Sequence, residues 1–467
     1  MYKKGHIHFI GIGGIGMSGI AKILKYQGYT ISGCDTDLEQ KSIEDLISIG
    51  CAIYQGNNTE FCHNPNTDII VYSSAIKDNN KEILAAQERS IPTIPRALML
   101  AELMRTKFSV AIAGAHGKTT TTSMISHILI EARQDPTVII GGHLKNISTN
   151  ARWGTGDFLI AEADESDRSL TRLYPTLGVV TNIDLEHLDT YKDLDDIKQT
   201  FAQFLSNIPF YGKAIVCIDD PHVRSLLPLP YTKTVKYGLD NTADIYAIDI
   251  VLEKDHSTFK VVVKQEVLGE IILSMPGRHN LLNSLAAIAV AIDLDVSFST
   301  IAQALATFKG VERRFSFKGL YKGAELFDDY GHHPTEIFNT LLVARRKAQN
   351  RLIVVFQPQR YTRTHRLWQE FIDLFAYSQI DHLIITDIYA ASEPPIDQVT
   401  SVQLVKALKA KQPACNVTYL PYEPELTSIT QAIDTISKQG DLILLLGAGK
   451  VNKFADIARK SPYFTMP

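Results

Sequence analysis

The sequence predicts an α/β protein of three domains built on parallel, doubly wound sheets. Three observations carry this. The chain has 467 residues, and at about 150 residues per domain that leaves room for three. Apolar strand-like runs alternate with amphipathic helical stretches through short links, as parallel sheets require. The alternation breaks near residues 107 and 311 and restarts each time. Hydrophobic residues at 45% and charged residues at 21% are ordinary for a globular chain. They exclude a disordered tail, a collagen-like repeat and a disulfide scaffold.

The elements follow in order. Residues 7–12, IHFIGI, predict a buried strand. Met17, Ile20, Ala21 and Leu24 then recur at helical spacing, predicting a helix to about Gly28. TISGC (30–34) is a second strand and runs into Asp35; IIVYSS from Ile69 is a third and ends in Ser73 and Ser74. Pro92 and Pro95 interrupt the pattern, and the stretch around 96–107 reads as a helix leading into a new domain. There a strand at 108–113 precedes a helix with Met124, Ile125, Ile128, Leu129 and Ala132 on one face. Further strands start at Phe158, Leu177 and Lys213. Residues 246–274 alternate as about three short strands, a small antiparallel insertion, before a helix from about Asn280 to Leu294. Strands from Leu352, His382, Val417 and Asp441 build the last domain. The expected division is 1–107, 108–311 and 312–467.

Lys+Arg is 47 and Asp+Glu is 51, a net charge of −4. A near-neutral chain offers no bulk case for nucleic acid as partner. The five cysteines (Cys34, Cys51, Cys62, Cys217, Cys415) are odd in number and form no C-x-x-C, which argues for a reducing compartment. Lys3 and Lys4 precede an apolar run, but His6, His8 and four glycines break it, against a signal peptide. No run reaches the ~18 apolar residues of a membrane helix. A cytoplasmic protein without membrane insertion is expected.

Two glycine loops carry the first chemistry. Gly11, Gly13, Gly14 and Gly16 lie between a strand and a helix, where bare backbone can approach a pyrophosphate. Asp35, 19 residues beyond Gly16, occupies the place of a ribose-binding acid. The loop admits NAD or a UDP-sugar alike, and a plain tight turn is the competing reading. The second loop is Gly114-Ala-His116-Gly117-Lys118-Thr119-Thr120. A lysine after glycines reaches β/γ-phosphates, and the next hydroxyl can ligate Mg²⁺. It is a shortened form, because the first glycine of the full motif would fall at Ile112. The first domain is therefore Rossmann-like, the second a P-loop-type ATPase domain, and the third Rossmann-like again.

Acids and amides follow at the same rim. Phosphate-loop folds need a carboxylate on a neighbouring strand for the metal, and Glu162 lies nearest the strand end. Asp164, Glu165 and Asp167 stand equally as loop or cap residues. His187, in Asp184-Leu-Glu186-His187, suits a metal ligand or a proton carrier. Asn280 reads as a helix cap, whereas Asn283, one turn in, offers its amide to a base edge. In the last domain Arg360 and Arg363 suit a carboxylate or phosphate. His332 and His333 have no further ligand at zinc spacing. Asp328, Arg313 and Arg366 read as surface charges.

Two phosphate loops in separate domains suit an enzyme that holds a nucleotide-tagged substrate in one and ATP in the next. The chain resembles the Mur ligases of peptidoglycan synthesis. GIGGIGMSGIA from Gly11, AGAHGKTTTT from Ala113, EADESD from Glu162 and EHLD from Glu186 carry the resemblance, with GRHNLLNSLAA from Gly277, GVERRF from Gly310, DDYGHHPTE from Asp328 and FQPQRYTRT from Phe356. It implies that UDP-N-acetylmuramate, ATP and L-alanine are substrates. The lactyl carboxylate attacks the γ-phosphate, and the alanine amine attacks the acyl phosphate.

The resemblance also implies roles. Gly114, His116, Gly117, Lys118, Thr119, Thr120, Asn283, Arg314 and Asp329 bind ATP. Thr119, Glu162 and His187 hold Mg²⁺. Gly11, Gly13, Gly14, Gly16, Asp35, Ser73, Ser74 and Asn182 contact the UDP-sugar. Tyr330, His332, Arg360 and Arg363 form the amino-acid and acyl-phosphate pocket, and Lys118, His187, His332, Arg360 and Arg363 are the catalytic set. The oligomeric expectation is monomer or homodimer. Gln359, Lys450 and Arg168 stand where the family usually shows His, Asp and a small residue. A ligase adding a whole tripeptide to the same sugar stays open, as do a nicotinamide-dependent oxidoreductase and a nucleotide-regulated binding module.

Overall fold

The structure, a computed structural model, describes residues 4–56, 66–73, 75–77, 79–144 and 149–466. It is α/β throughout, with three sheets in three domains, as the sequence predicts.

The first sheet has five strands: β1 (His6–Ile10), β2 (Thr30–Asp35), β3 (Ala52–Gln55), β4 (Ile69–Tyr72) and β5 (Thr93–Pro95). Their order is β3-β2-β1-β4-β5, all parallel. The order reverses beside β1, which opens a crevice at the strand C-termini. β1 stops two residues earlier than expected. Gly11 turns at φ +77°, and the Gly11 and Ile12 amides donate to the Cys34 carbonyl at 2.9 and 3.1 Å. The helix Ile15–Tyr26 then buries Met17, Ile20, Ala21 and Leu24. The helix Arg96–Met104 leads from this sheet into the next.

The central sheet has ten strands: β6 (Phe108–Ala113), β7 (Thr137–Leu144), β8 (Thr149–Arg152), β9 (Phe158–Glu162), β10 (Leu177–Val180), β11 (Lys213–Cys217), β12 (Lys233–Gly238), β13 (Ile245–Leu252), β14 (Ser257–Val263) and β15 (Glu266–Leu273). Their order is β15-β14-β13-β12-β11-β10-β6-β9-β7-β8. The antiparallel strands are an extension of this sheet rather than a separate insertion. β13 continues it in parallel beside β12, through Tyr237↔Ile245 and Gly238↔Tyr246. β14 and β15 then add antiparallel strands. Val110, Ile112, Ile160, Val179 and Ile215 bury one apolar layer against the helices Lys118–Glu131 and Arg278–Asp293.

The third sheet comprises β16 (Ser316–Tyr321), β17 (Ala324–Asp329), β18 (Leu352–Phe356), β19 (His382–Ile385), β20 (Val417–Tyr419), β21 (Leu442–Leu446) and β22 (Phe464–Thr465), in the order β20-β19-β18-β21-β17-β16-β22. β18 and β21 are buried along their whole length, as central parallel strands covered on both faces must be. No described helix is long and apolar enough to cross a membrane.

Candidate active site

The loops after β6, β9, β10 and β17 meet between the domains. Gly117 sits at φ +84° as N-cap of the helix Lys118–Glu131, so the loop amides face the rim. A Cβ on Gly117 would lie 2.4 Å from Asn283 Oδ1, and one on Gly114 2.0 Å from Thr181 Oγ1. The loop is bare because its neighbours press on it.

A cavity of about 750 Å³ lies in front of this loop and is lined from all three sheets. It brings together Gly16, Lys118, Thr119, Glu162, His187, Tyr330, His332, Arg360 and Arg363. An adjoining cavity of about 400 Å³ takes in His116, Gly117, Thr120, Asn182, Asn283 and Asp329. Arg314 lines both. Gly11, Gly13, Gly14, Asp35 and Ser73 line neither; Ser74 lies outside the described residues.

Each cation of the larger cavity has a carboxylate partner. Lys118 Nζ is 2.7 Å from Glu165 and also donates to the Gly114 carbonyl at 2.6 Å. Arg314 is 3.4 Å from Glu336, and Arg363 is 3.6 Å from Glu186. Arg360 pairs with Glu393 at 2.6 Å and Asp189 at 3.1 Å. Arg96, which no motif singled out, is 2.9 Å from Asp164. Gln359 accepts from Arg363 Nη1 at 2.5 Å, so the residue that departs from the family orients this guanidinium.

Thr119 and Glu162 come together, with the hydroxyl 3.2 Å from one carboxylate oxygen. The other oxygen accepts from the Gly141 amide at 2.7 Å. His187 Nε2 is 3.5 Å from Glu165 and 3.6 Å from Glu186. Burial opposes charge on His187, but the nearby Glu165 and Glu186 carboxylates raise its pKa overall. Thr119 and Glu162 beside a phosphate loop fit Mg²⁺, a hard cation that takes carboxylate and hydroxyl oxygens, whereas His187 clusters with Glu165 and Glu186.

His116 joins the central and third domains. Its Nε2 is 2.9 Å from Asp184 and its Nδ1 is 3.4 Å from Glu336. Asp184 also accepts from Thr335 Oγ1 at 2.7 Å. Burial disfavours the imidazolium, but the hydrogen bond to Asp184 and the Glu336 charge overcome it and push the pKa up to about 10. His332 goes the other way: burial pushes it down to about 4, so it is neutral at pH 7.

Three readings need correction, Asn280 as a cap and Asp328 and Arg313 as surface charges; for Asn182, Asp35 and Asp329 the structure shows which loop amides they hold. Asn182 holds the phosphate loop, because its Oδ1 accepts from His116 N at 2.8 Å and its Nδ2 donates to His116 O at 2.9 Å. It also lines the smaller cavity. Asn280 is not the cap: Gly277 is, and Asn280 Nδ2 donates to the Pro276 carbonyl. Asp328 is buried to 1% exposure, between Arg313 at 3.5 Å and Lys318 at 3.8 Å. Arg313 donates to the Gly447 and Gly449 carbonyls, so neither is a free surface charge. Asp35 accepts from the Gly13 amide at 2.8 Å and so stiffens the first glycine turn. Asp329 accepts from the Phe315 and Gly331 amides and shapes the cavity wall.

A phosphate-type loop facing cations from three domains defines a nucleotide-dependent enzyme that handles several anions at once. The Mur ligase family, catalytic domain, matches residues 6–108; the Mur ligase middle domain matches 112–291; the Mur ligase, glutamate ligase domain, matches 313–449. The UDP-N-acetylmuramate–L-alanine ligase of Syntrophus aciditrophicus is 46% identical over 453 residues, covering 96% of this chain and 92% of that one. The enzyme of the same name from Geotalea uraniireducens is 48% identical, covering 97% of each. The crystal structure of a UDP-N-acetylmuramate-alanine ligase from Thermotoga maritima superposes with TM-score 0.81 at 26% identity over 98% of both chains. A murein peptide ligase from Psychrobacter arcticus, 24% identical with TM-score 0.72 over 98% of both, shares the fold. The chain belongs to the Mur ligase family, and it is an ATP-dependent ligase.

Proposed function

We propose that this ligase joins L-alanine to the lactyl carboxylate of UDP-N-acetylmuramate, with ATP converted to ADP and phosphate, in the cytoplasm. The observation that supports this most is the convergence of Lys118, Arg314, Arg360 and Arg363 on one cavity. Carboxylate and γ-phosphate are both anionic, so their approach requires neutralisation before any bond forms.

A carboxylate oxygen attacks the γ-phosphorus and ADP leaves with the bridging electrons. The neutral amine of L-alanine attacks the acyl carbon, phosphate leaves and the amine proton is lost to a base. Residues 1–107 hold the UDP-sugar, 108–311 the ATP and 312–467 the amino acid. Lys118 neutralises the β/γ-phosphates from its place in the loop. Thr119, Glu162 and His187 would hold Mg²⁺, which supplies positive charge at the transferring phosphate. Asn283 lies beside Gly117 in the smaller cavity, in position to meet the adenine. Tyr330, stacked against Arg313 at 4.8 Å and Arg314 at 5.5 Å, fixes the third-domain wall. His332, kept neutral by burial, lines the same wall. Closure of the third domain excludes water, which protects an acyl phosphate from hydrolysis.

The test is phosphate release with L-alanine, glycine, L-serine or the tripeptide as acceptor. Release that needs both UDP-N-acetylmuramate and L-alanine, and that disappears in Lys118→Ala, is the expected result. Turnover indifferent to the UDP-sugar, or fastest with the tripeptide, overturns the assignment.

A further inference from the structure

Arg96 has no part in the reaction as set out above. It opens the helix Arg96–Met104, the last element of the first domain. Its guanidinium packs over the glycine turn: a Cβ on Gly16 would lie 2.7 Å from Nη1 and 3.4 Å from Cδ. On its other side Nη2 donates to Asp164 Oδ2 at 2.9 Å, across the boundary to the central domain. The side chain is 20% exposed and faces the 750 Å³ cavity. Asp164 is fixed where it stands. Its Oδ1 accepts from the Ser166 amide at 3.0 Å, and its carbonyl accepts from Leu170 N and Ser169 Oγ. The next residue, Glu165, holds Lys118. Two adjacent acids thus hold one cation from each of two domains, and both cations look into the same space.

We propose that Arg96 is the first domain's binding and positioning cation for the diphosphate of the UDP-sugar, and that Asp164 holds it over Gly16 for that purpose. The proposal rests on the ligase reading above. Among the described lining residues of the cavity, the first domain contributes Gly16, Ile20, Ala75, Arg96 and Leu100, and Arg96 is the only cation in that set. The diphosphate must meet the glycine turn, and a guanidinium laid on that turn presents planar donors to phosphate oxygens. Asp164 supplies the counter-charge that keeps a cation this buried from being left alone. When the guanidinium turns toward the diphosphate, the tie between the first and central domains is released at the loop that carries Glu165.

The experiment uses the full-length enzyme and measures phosphate release, with UDP as a competitive probe. The wild-type requirement for UDP-N-acetylmuramate is established first, so failure of the ligase reading is seen separately. Arg96→Ala is expected to raise KM for UDP-N-acetylmuramate about tenfold or more and to weaken inhibition by UDP alike. KM for ATP and L-alanine stays within about twofold, and Arg96→Lys recovers part of the loss. Asp164→Asn removes the counter-charge of the same interdomain tie but leaves an amide oxygen to hold the guanidinium, so it raises KM for the UDP-sugar clearly less than Arg96→Ala does. An unchanged KM in Arg96→Ala overturns the proposal. So does unchanged UDP inhibition, or an equal rise in KM in both variants, which would make the pair a structural tie alone.

Discussion

Replacing His116 by Ala tests the junction between the central and third domains. The imidazole is 13% exposed and makes a 2.9 Å contact to Asp184 and a 3.4 Å contact to Glu336. A hydrogen bond to a charged partner is worth about 1.5–3 kcal/mol. Asp184 keeps Thr335 and Glu336 keeps Arg314, which limits the damage. The expected loss is about 2 kcal/mol, read as a lower denaturant midpoint for the transition involving these domains. The pH dependence has a definite sign. Because the folded pKa is raised from 6.5 to about 10, the contribution is complete below about pH 6.5 and fades as pH rises through 10. The difference between wild type and variant should therefore shrink steadily from pH 6 to pH 10. A double-mutant cycle with Glu336→Gln should show a coupling above about 0.5 kcal/mol. A coupling of zero, together with a pH-independent difference, would refute the reasoning.

Two further outcomes follow from the same geometry. Gly117→Ala places a side chain at φ +84° and 2.4 Å from Asn283 Oδ1, so it should cost about 1–2 kcal/mol and raise KM for ATP. Unfolding titrations and initial rates measure the two effects, and a wild-type KM would count against Asn283 meeting the adenine. Glu162→Gln should raise the Mg²⁺ concentration for half-maximal phosphate release about tenfold, as one charged ligand is lost. An unchanged Mg²⁺ titration would remove Glu162 from the metal set.

What the sequence discloses here is local. Both glycine loops, their strands and the helices behind them were legible, because bare backbone between an apolar run and an amphipathic helix has few other uses. Glu162 was legible from its place at a strand end. The carboxylate partners were not. Thr335 is 151 residues from Asp184, and Arg360 is 171 from Asp189. No spacing rule links groups that meet only when domains pack. Arg96 sits in no motif at all. β3 escaped notice because its four residues alternate too weakly, with three of them exposed. The β16–β17 hairpin was missed too, although Lys322–Gly323, with both residues at positive φ, is the turn signal that would have found it.

The pairing of each described cation of the larger cavity with a carboxylate has a consequence for how the enzyme lets go. An arriving phosphate does not meet a naked positive charge; it displaces an acid from it. Binding is then an exchange of one ionic contact for another, and its free energy is a difference between two similar quantities. The displaced acids remain tethered within reach, so they compete at once for the same cations when the anion changes its charge or loses a bond to its neighbour. Three anionic species can thus pass through one chamber without any of them becoming a permanent tenant.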